Sequence, residues 1–129
     1  MTKQQDFSMW SVNFILFCLA NFLYYGAFYL YIPVLPQYVE MLGGTPADIG
    51  LVGGAFGLSS FIIRPYLGKL ANEWGRKRMM LLGTISFALL FLLFGRVTGV
   101  VPLVVLRLAH GVCLAMYLAA SAAYIADYA

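Results

Sequence analysis

GKLANEWGRKRMML, residues Gly68 to Leu81, is the stretch on which the fold turns. It holds four of the chain's eight basic residues, Lys69, Arg76, Lys77 and Arg78, and long apolar runs stand on both sides of it. A charge cluster of this kind cannot lie in hydrocarbon. The chain must leave the membrane here and turn back.

Composition supports a lipid solvent. The 129 residues are 63% hydrophobic and only 10% charged, with a mean hydropathy of +0.87. Soluble domains carry about 25% charged residues, so an aqueous globule of this composition would expose too much apolar surface. A span needs about 20 apolar residues, and four spans with short connections use most of the chain. The fold class expected is therefore all-α and transmembrane, an integral multi-pass protein partnered by the lipid bilayer. The formal charge of +3 sits mostly in one hairpin, which argues against a nucleic-acid partner. Cys18 and Cys113 both fall in apolar runs and read as packing residues, not as a disulfide or metal pair.

Four helices are expected, at about residues 11–35, 47–71, 79–97 and 102–126. Lys3 and Asp6 give no strongly positive leader. The first apolar run also exceeds the core of a signal peptide, about 7–15 residues, so it reads as a retained span. Trp10 would anchor its start at the interface, and Pro33 and Pro36 would end it. Gly43, Gly44 and Pro46 mark a turn in which Thr45 or Asp48 can cap the next helix. Gly50, Gly53, Gly54 and Gly57 predict close approach of another helix to the second span. Arg64, near that span's far end, reads as an interfacial anchor within snorkelling reach of the basic side. Arg96, Thr98, Gly99 and Pro102 mark the last turn, with Pro102 near a helix start.

Orientation follows from the distribution of Lys and Arg. The hairpin at 68–81 has four of them, the first connection none, and the third only Arg96. The hairpin and the N-terminus are therefore expected in the cytoplasm.

Polarity within the spans is confined to two faces. In the fourth helix Arg107, His110, Leu114, Tyr117, Ser121 and Tyr124 recur at spacings of three and four and share one stripe. Gly111, Ala115, Ala119 and Ala122 form a second stripe suited to tight packing. In the first helix Asn13, Phe17, Asn21, Tyr24, Phe28 and Tyr31 share a face, with Tyr25 at its edge. Ionisable residues inside spans face bundle interiors or watery cavities, and a mid-membrane amide needs a partner. The cavity-lining candidates are accordingly Asn21, Tyr24, Tyr25, Phe28, Arg107, His110, Tyr117 and Ser121. The bland alternatives are that Arg107 snorkels outward, that His110 and Asn21 bond to a neighbouring helix, and that the aromatics are core. No cofactor, metal cluster or catalytic constellation is visible, so no enzymatic activity is expected.

The hairpin resembles the signature between the second and third helices of the major facilitator superfamily of secondary transporters. The matching positions are Gly68, Leu70, Ala71, Asn72, Gly75, Arg76 and Lys77. Two shorter matches resemble the family's drug–proton antiporter branch: Pro33-Val34-Leu35-Pro36 after the first span, and Arg107 with Gly111 in the fourth. One position departs, because Asn72 stands where the family has an acid. In the family that acid helps to hold the hairpin against the other half of the transporter. The arginine matching Arg76 reaches an acid at the inner end of the fourth helix, where this chain has Asp127. The resemblance therefore implies a conformational latch made of Gly68, Asn72, Gly75, Arg76, Lys77 and Asp127, weakened by Asn72. Gly75 would make a tight reversal at positive φ, and Gly68 a close helix contact.

The resemblance further implies twelve helices in two six-helix halves, each built from inverted three-helix repeats. This chain then corresponds to part of the N-terminal half and lacks the remaining transporter helices. It implies secondary active transport of a small molecule by alternating access, most naturally proton-coupled efflux, in a bacterial inner membrane. Two other readings use the same spans. One is a complete four-helix oligomer like the small multidrug exporters, although those rely on an acid in the first span and none is present here. The other is a membrane subunit that does not transport.

Overall fold

The computed structural model describes residues 11–127. Trp10, Lys3 and Asp6, named above, lie outside the described residues. The elements in chain order are α1 (Val12–Tyr31), α2 (Val34–Met41), α3 (Pro46–Trp74), α4 (Arg76–Phe94) and α5 (Val100–Ala126). All but α2 are long and apolar enough to cross a membrane, giving four candidate spans.

Local chemistry explains most of the boundaries. The Ser11 hydroxyl accepts from the Phe14 N–H at 3.3 Å and caps α1. Thr45 caps α3 in a reciprocal box: the Asp48 N–H donates to Thr45 Oγ1, and the Thr45 N–H donates to Asp48 Oδ2 at 2.7 Å. Thr45 is thus the cap and Asp48 its partner. Gly75, at φ +89, ends α3 and begins α4 in a single residue. Only glycine adopts that conformation without strain, and it makes the basic hairpin short.

One boundary differs from expectation. Pro33 and Pro36 do not end the first helical run. After a two-residue break the chain resumes as α2, with Pro36 in its first turn. A proline there forfeits no hydrogen bond, because the first N–H groups of a helix have no intrahelical acceptor. The short helix buries Leu35 and Val39 against Val52, Phe94 and Leu103. The Tyr38 hydroxyl donates to the Phe94 carbonyl and occupies one of the free acceptors at the end of α4.

α5 is the hub. It packs along both α3 and α4, which scarcely touch each other, and α1 lies across α4 and α5 through its aromatic side chains. The close approaches are made by two glycines. A Cβ on Gly111 would fall on the Phe56 carbonyl oxygen and Ser59 Oγ of α3, and a Cβ on Gly83 of α4 would meet the Cys113 carbonyl at 3.1 Å. Backbone contact of this kind drives helix association in lipid, where apolarity gives no preference between a helix and an acyl chain. The glycines expected to serve this purpose take no such part among the described residues. Gly50, Gly53, Gly54 and Gly57 face open space, and no helix among the described residues lies against them. The outward faces carry Phe22, Leu30, Phe61, Leu92 and Val101, all largely exposed, as suits contact with lipid tails.

Candidate functional site

The two polar stripes meet at the centre of the bundle. α1 turns Tyr24, Phe28 and Tyr31 inward, while α5 contributes Arg107, His110, Leu114, Tyr117 and Ser121. Tyr24 stacks on Tyr117 with ring centroids 4.0 Å apart and planes 11° from parallel. Tyr25 stands at the edge, its ring 6.4 Å from that of Tyr117 in T-shaped contact. Phe28 stacks on Phe56 of α3 at 5.3 Å.

Arg107 and His110 lie deepest. Arg107 is only 3% exposed, so it does not snorkel outward. Its Nε donates to the Val52 carbonyl at 3.4 Å, and its guanidinium sits 4.2 Å from the centre of the Phe56 ring and 5.7 Å from that of Tyr31. Cation–π contact with a desolvated ring is worth about 2 kcal/mol. One such contact falls short of the cost of an unpaired charge in hydrocarbon, which insertion measurements put near 3 kcal/mol and simulations much higher. His110 is fully buried in an aromatic box, with Phe87 at 3.9 Å, Phe94 at 5.4 Å and Phe56 at 6.3 Å. Neither imidazole nitrogen has a partner among the described residues. The same is true of Arg107 Nη1 and of the hydroxyls of Tyr24, Tyr31 and Tyr117. A core built only for stability would not gather so many unsatisfied polar atoms.

The remaining candidates are quieter. Asn21 is half-buried and donates to the Phe17 carbonyl of its own helix at 2.9 Å, so it does not bridge to another helix. Ser121 likewise donates to Leu118 at 3.2 Å. Tyr31 and Phe56 belong to the cluster but were not singled out from the sequence. Tyr31 was visible on the α1 stripe; Phe56 gave no signal, because an apolar residue on an apolar helix announces neither cation–π contact nor burial.

A second group gathers at the hairpin. Arg76 Nη1 forms an ion pair with Asp127 Oδ2, joining the start of α4 to the end of α5. Asn72, Glu73 and Lys77 are exposed. Gly68 is not in close helix contact: a Cβ there would meet nothing within 4 Å. Among the described residues no group of His, Cys, Asp and Glu could hold a metal ion.

An all-helical bundle of four apolar candidate spans around a buried, unsatisfied polar seam is that of a polytopic membrane protein. Residues 17–129 match the family model of the Major Facilitator Superfamily, and the chain belongs to that family. It is 35% identical over 98 residues to "Multidrug resistance protein 2" of Bacillus subtilis (strain 168), covering 76% of this chain and 24% of that protein. It is 37% identical over 98 residues to "Quinolone resistance protein NorA" of Staphylococcus aureus (strain Mu50 / ATCC 700699), covering 76% of this chain and 25% of that protein. The chain thus spans about a quarter of the length of these relatives. No solved structure matches it.

Proposed function

We propose that this chain is the N-terminal portion of a secondary transporter that moves small organic molecules across the bacterial plasma membrane, by proton-coupled efflux. The observation that carries this reading is the seam of Tyr24, Tyr31, Arg107, His110 and Tyr117, whose buried polar atoms lack partners inside an otherwise apolar bundle. Such groups at membrane depth mark substrate or ion pathways. The relatives, named for multidrug and quinolone resistance, support export of drug-like compounds. The protein acts as a carrier and not as an enzyme.

The mechanism is alternating access, in which two halves of the complete transporter rock about a midplane site. The α1 and α5 faces line that site on this half, with Asn21, Tyr25, Phe28 and Ser121 at its margins. No carboxylate lies among the apolar interiors of the four spans, so a carboxylate proton carrier comes from the helices this chain lacks. The hairpin 68–81 and the N-terminus face the cytoplasm. The Arg76–Asp127 pair, in a hairpin kept short by Gly75, holds the inner surface together when the site is closed to the inside, and the exposed Asn72 and Lys77 are left for the rest of the transporter.

The test is Arg107→Gln in the full-length transporter. Efflux falls at least tenfold while the amount inserted in the membrane stays the same. Unchanged efflux removes Arg107 from the site.

A further inference from the structure

Toward the basic hairpin α3 and α5 stay packed through Leu67, Ala71, Ala115 and Ala120, and the surface beside that contact is open. Arg64 and Gly68 of α3 with Leu118, Ala119 and Ala122 of α5 line an open groove of about 350 Å³, within the range of small-molecule sites, about 300–1,000 Å³. The walls are small residues, so the groove has room beside a charge. On α3, Gly68 lies about one turn from Arg64, whose side chain is exposed.

Arg64 has no carboxylate partner among the described residues. Asp127 is held by Arg76, Asp48 is held by the Thr45 cap, and Glu40 and Glu73 pair with nothing near it. Its depth makes this costly. α3 has 29 residues, about 43 Å at 1.5 Å per residue, against a hydrocarbon core of about 30 Å. Centred in the bilayer, the helix places Arg64, ten residues before Trp74, about 8 Å inside the boundary. A cation there gains most from an oxyanion that enters the low-dielectric groove with it.

Resting on the transport reading above, we propose that Arg64 and this groove form an anion-recognition subsite. The guanidinium takes a carboxylate of an amphiphilic substrate, and the apolar body of that substrate lies along Leu118, Ala119 and Ala122. Arg64 is then a specificity-determining residue, set at the cytoplasmic side of the seam and separate from the buried Arg107.

The experiment uses the full-length transporter in proteoliposomes and a matched pair of probes, an aromatic carboxylate amphiphile and its uncharged methyl ester. In the parent protein both are carried. Arg64→Gln lowers kcat/KM for the carboxylate about tenfold, the worth of one charge-assisted contact, and leaves the ester within about twofold. Arg64→Lys recovers part of the loss, since it restores the charge without the planar fork. Ala122→Leu, which fills the groove and leaves Arg64 in place, raises KM for the carboxylate and guards against a folding defect in the arginine variants. A parent protein that carries neither probe overturns the transport reading itself. Arg64→Gln lowering both probes equally, or neither, overturns the subsite alone, and an equal loss assigns Arg64 to pairing with a helix carboxylate of the rest of the transporter. A parent protein that carries only the ester overturns it as well.

Discussion

The contact between α3 and α5 has two halves built in opposite ways from the same kind of residue. In the N-terminal half of α5, Gly111 brings it onto the Phe56 carbonyl and Ser59 Oγ, Ala115 is fully buried, and Arg107 reaches across to the Val52 carbonyl. Toward the hairpin the same small stripe continues as Ala119 and Ala122, yet faces a groove beside Gly68 and Arg64. Small residues permit close approach but do not compel it. Where a backbone arrives, they make a tight joint; where none arrives, they leave open surface. The first half is closed by backbone contact, and the second carries the proposed subsite.

The sharpest way to break this comparison is to add bulk on both sides. Gly111→Leu should lower the stability of the purified chain in detergent by about 2 kcal/mol or more, because the new side chain meets backbone that has nowhere to go. Gly68→Ala should be neutral or slightly stabilising, by less than about 1 kcal/mol, since its Cβ meets nothing and alanine is the better helix former. Equal losses at the two sites would abolish the distinction between the halves.

A smaller effect sharpens it. His110→Leu should leave thermal stability unchanged or raise it by about 1 kcal/mol, because it removes two nitrogens without protein partners from an aromatic box. Transport by the full-length protein should fall even so. A loss of stability would show that the imidazole is a structural member of the bundle, not a functional group that the bundle encloses.

The smallest effect is at the hairpin. Arg76→Ala and Asp127→Ala should each cost little, and a double-mutant cycle should return a coupling of about 0.5 kcal/mol that shrinks in high salt. Their side chains are 29% and 49% exposed, so water screens the pair. Strict additivity would mean that the contact holds nothing together.

Much of the candidate site was legible before the fold. The three- and four-residue spacing of Arg107, His110, Tyr117 and Ser121, and of Asn21, Tyr24, Phe28 and Tyr31, placed two stripes on two helices, and those stripes meet. The positive φ that the hairpin's resemblance implied for Gly75 is present. Other features were not legible. Pro33 and Pro36 look alike in sequence whether they stop a helix or restart one, because a proline is tolerated in any first turn. Nothing about Phe56 foretold that it would sit beneath a guanidinium.

The sequence by itself determined what is local: a lipid solvent, four crossings, a basic turn between the second and third, and which residues share a helical face. Those follow from hydrophobicity and the 3.6-residue period, properties of a single segment in its solvent. Only the tertiary structure decided which small face meets a neighbour, so that Gly111 is clasped and Gly53 and Gly57 stand open. It alone left Arg107 and His110 enclosed and Arg64 at a groove. Packing between helices in lipid depends on shape matched across two surfaces, and no one segment contains that information.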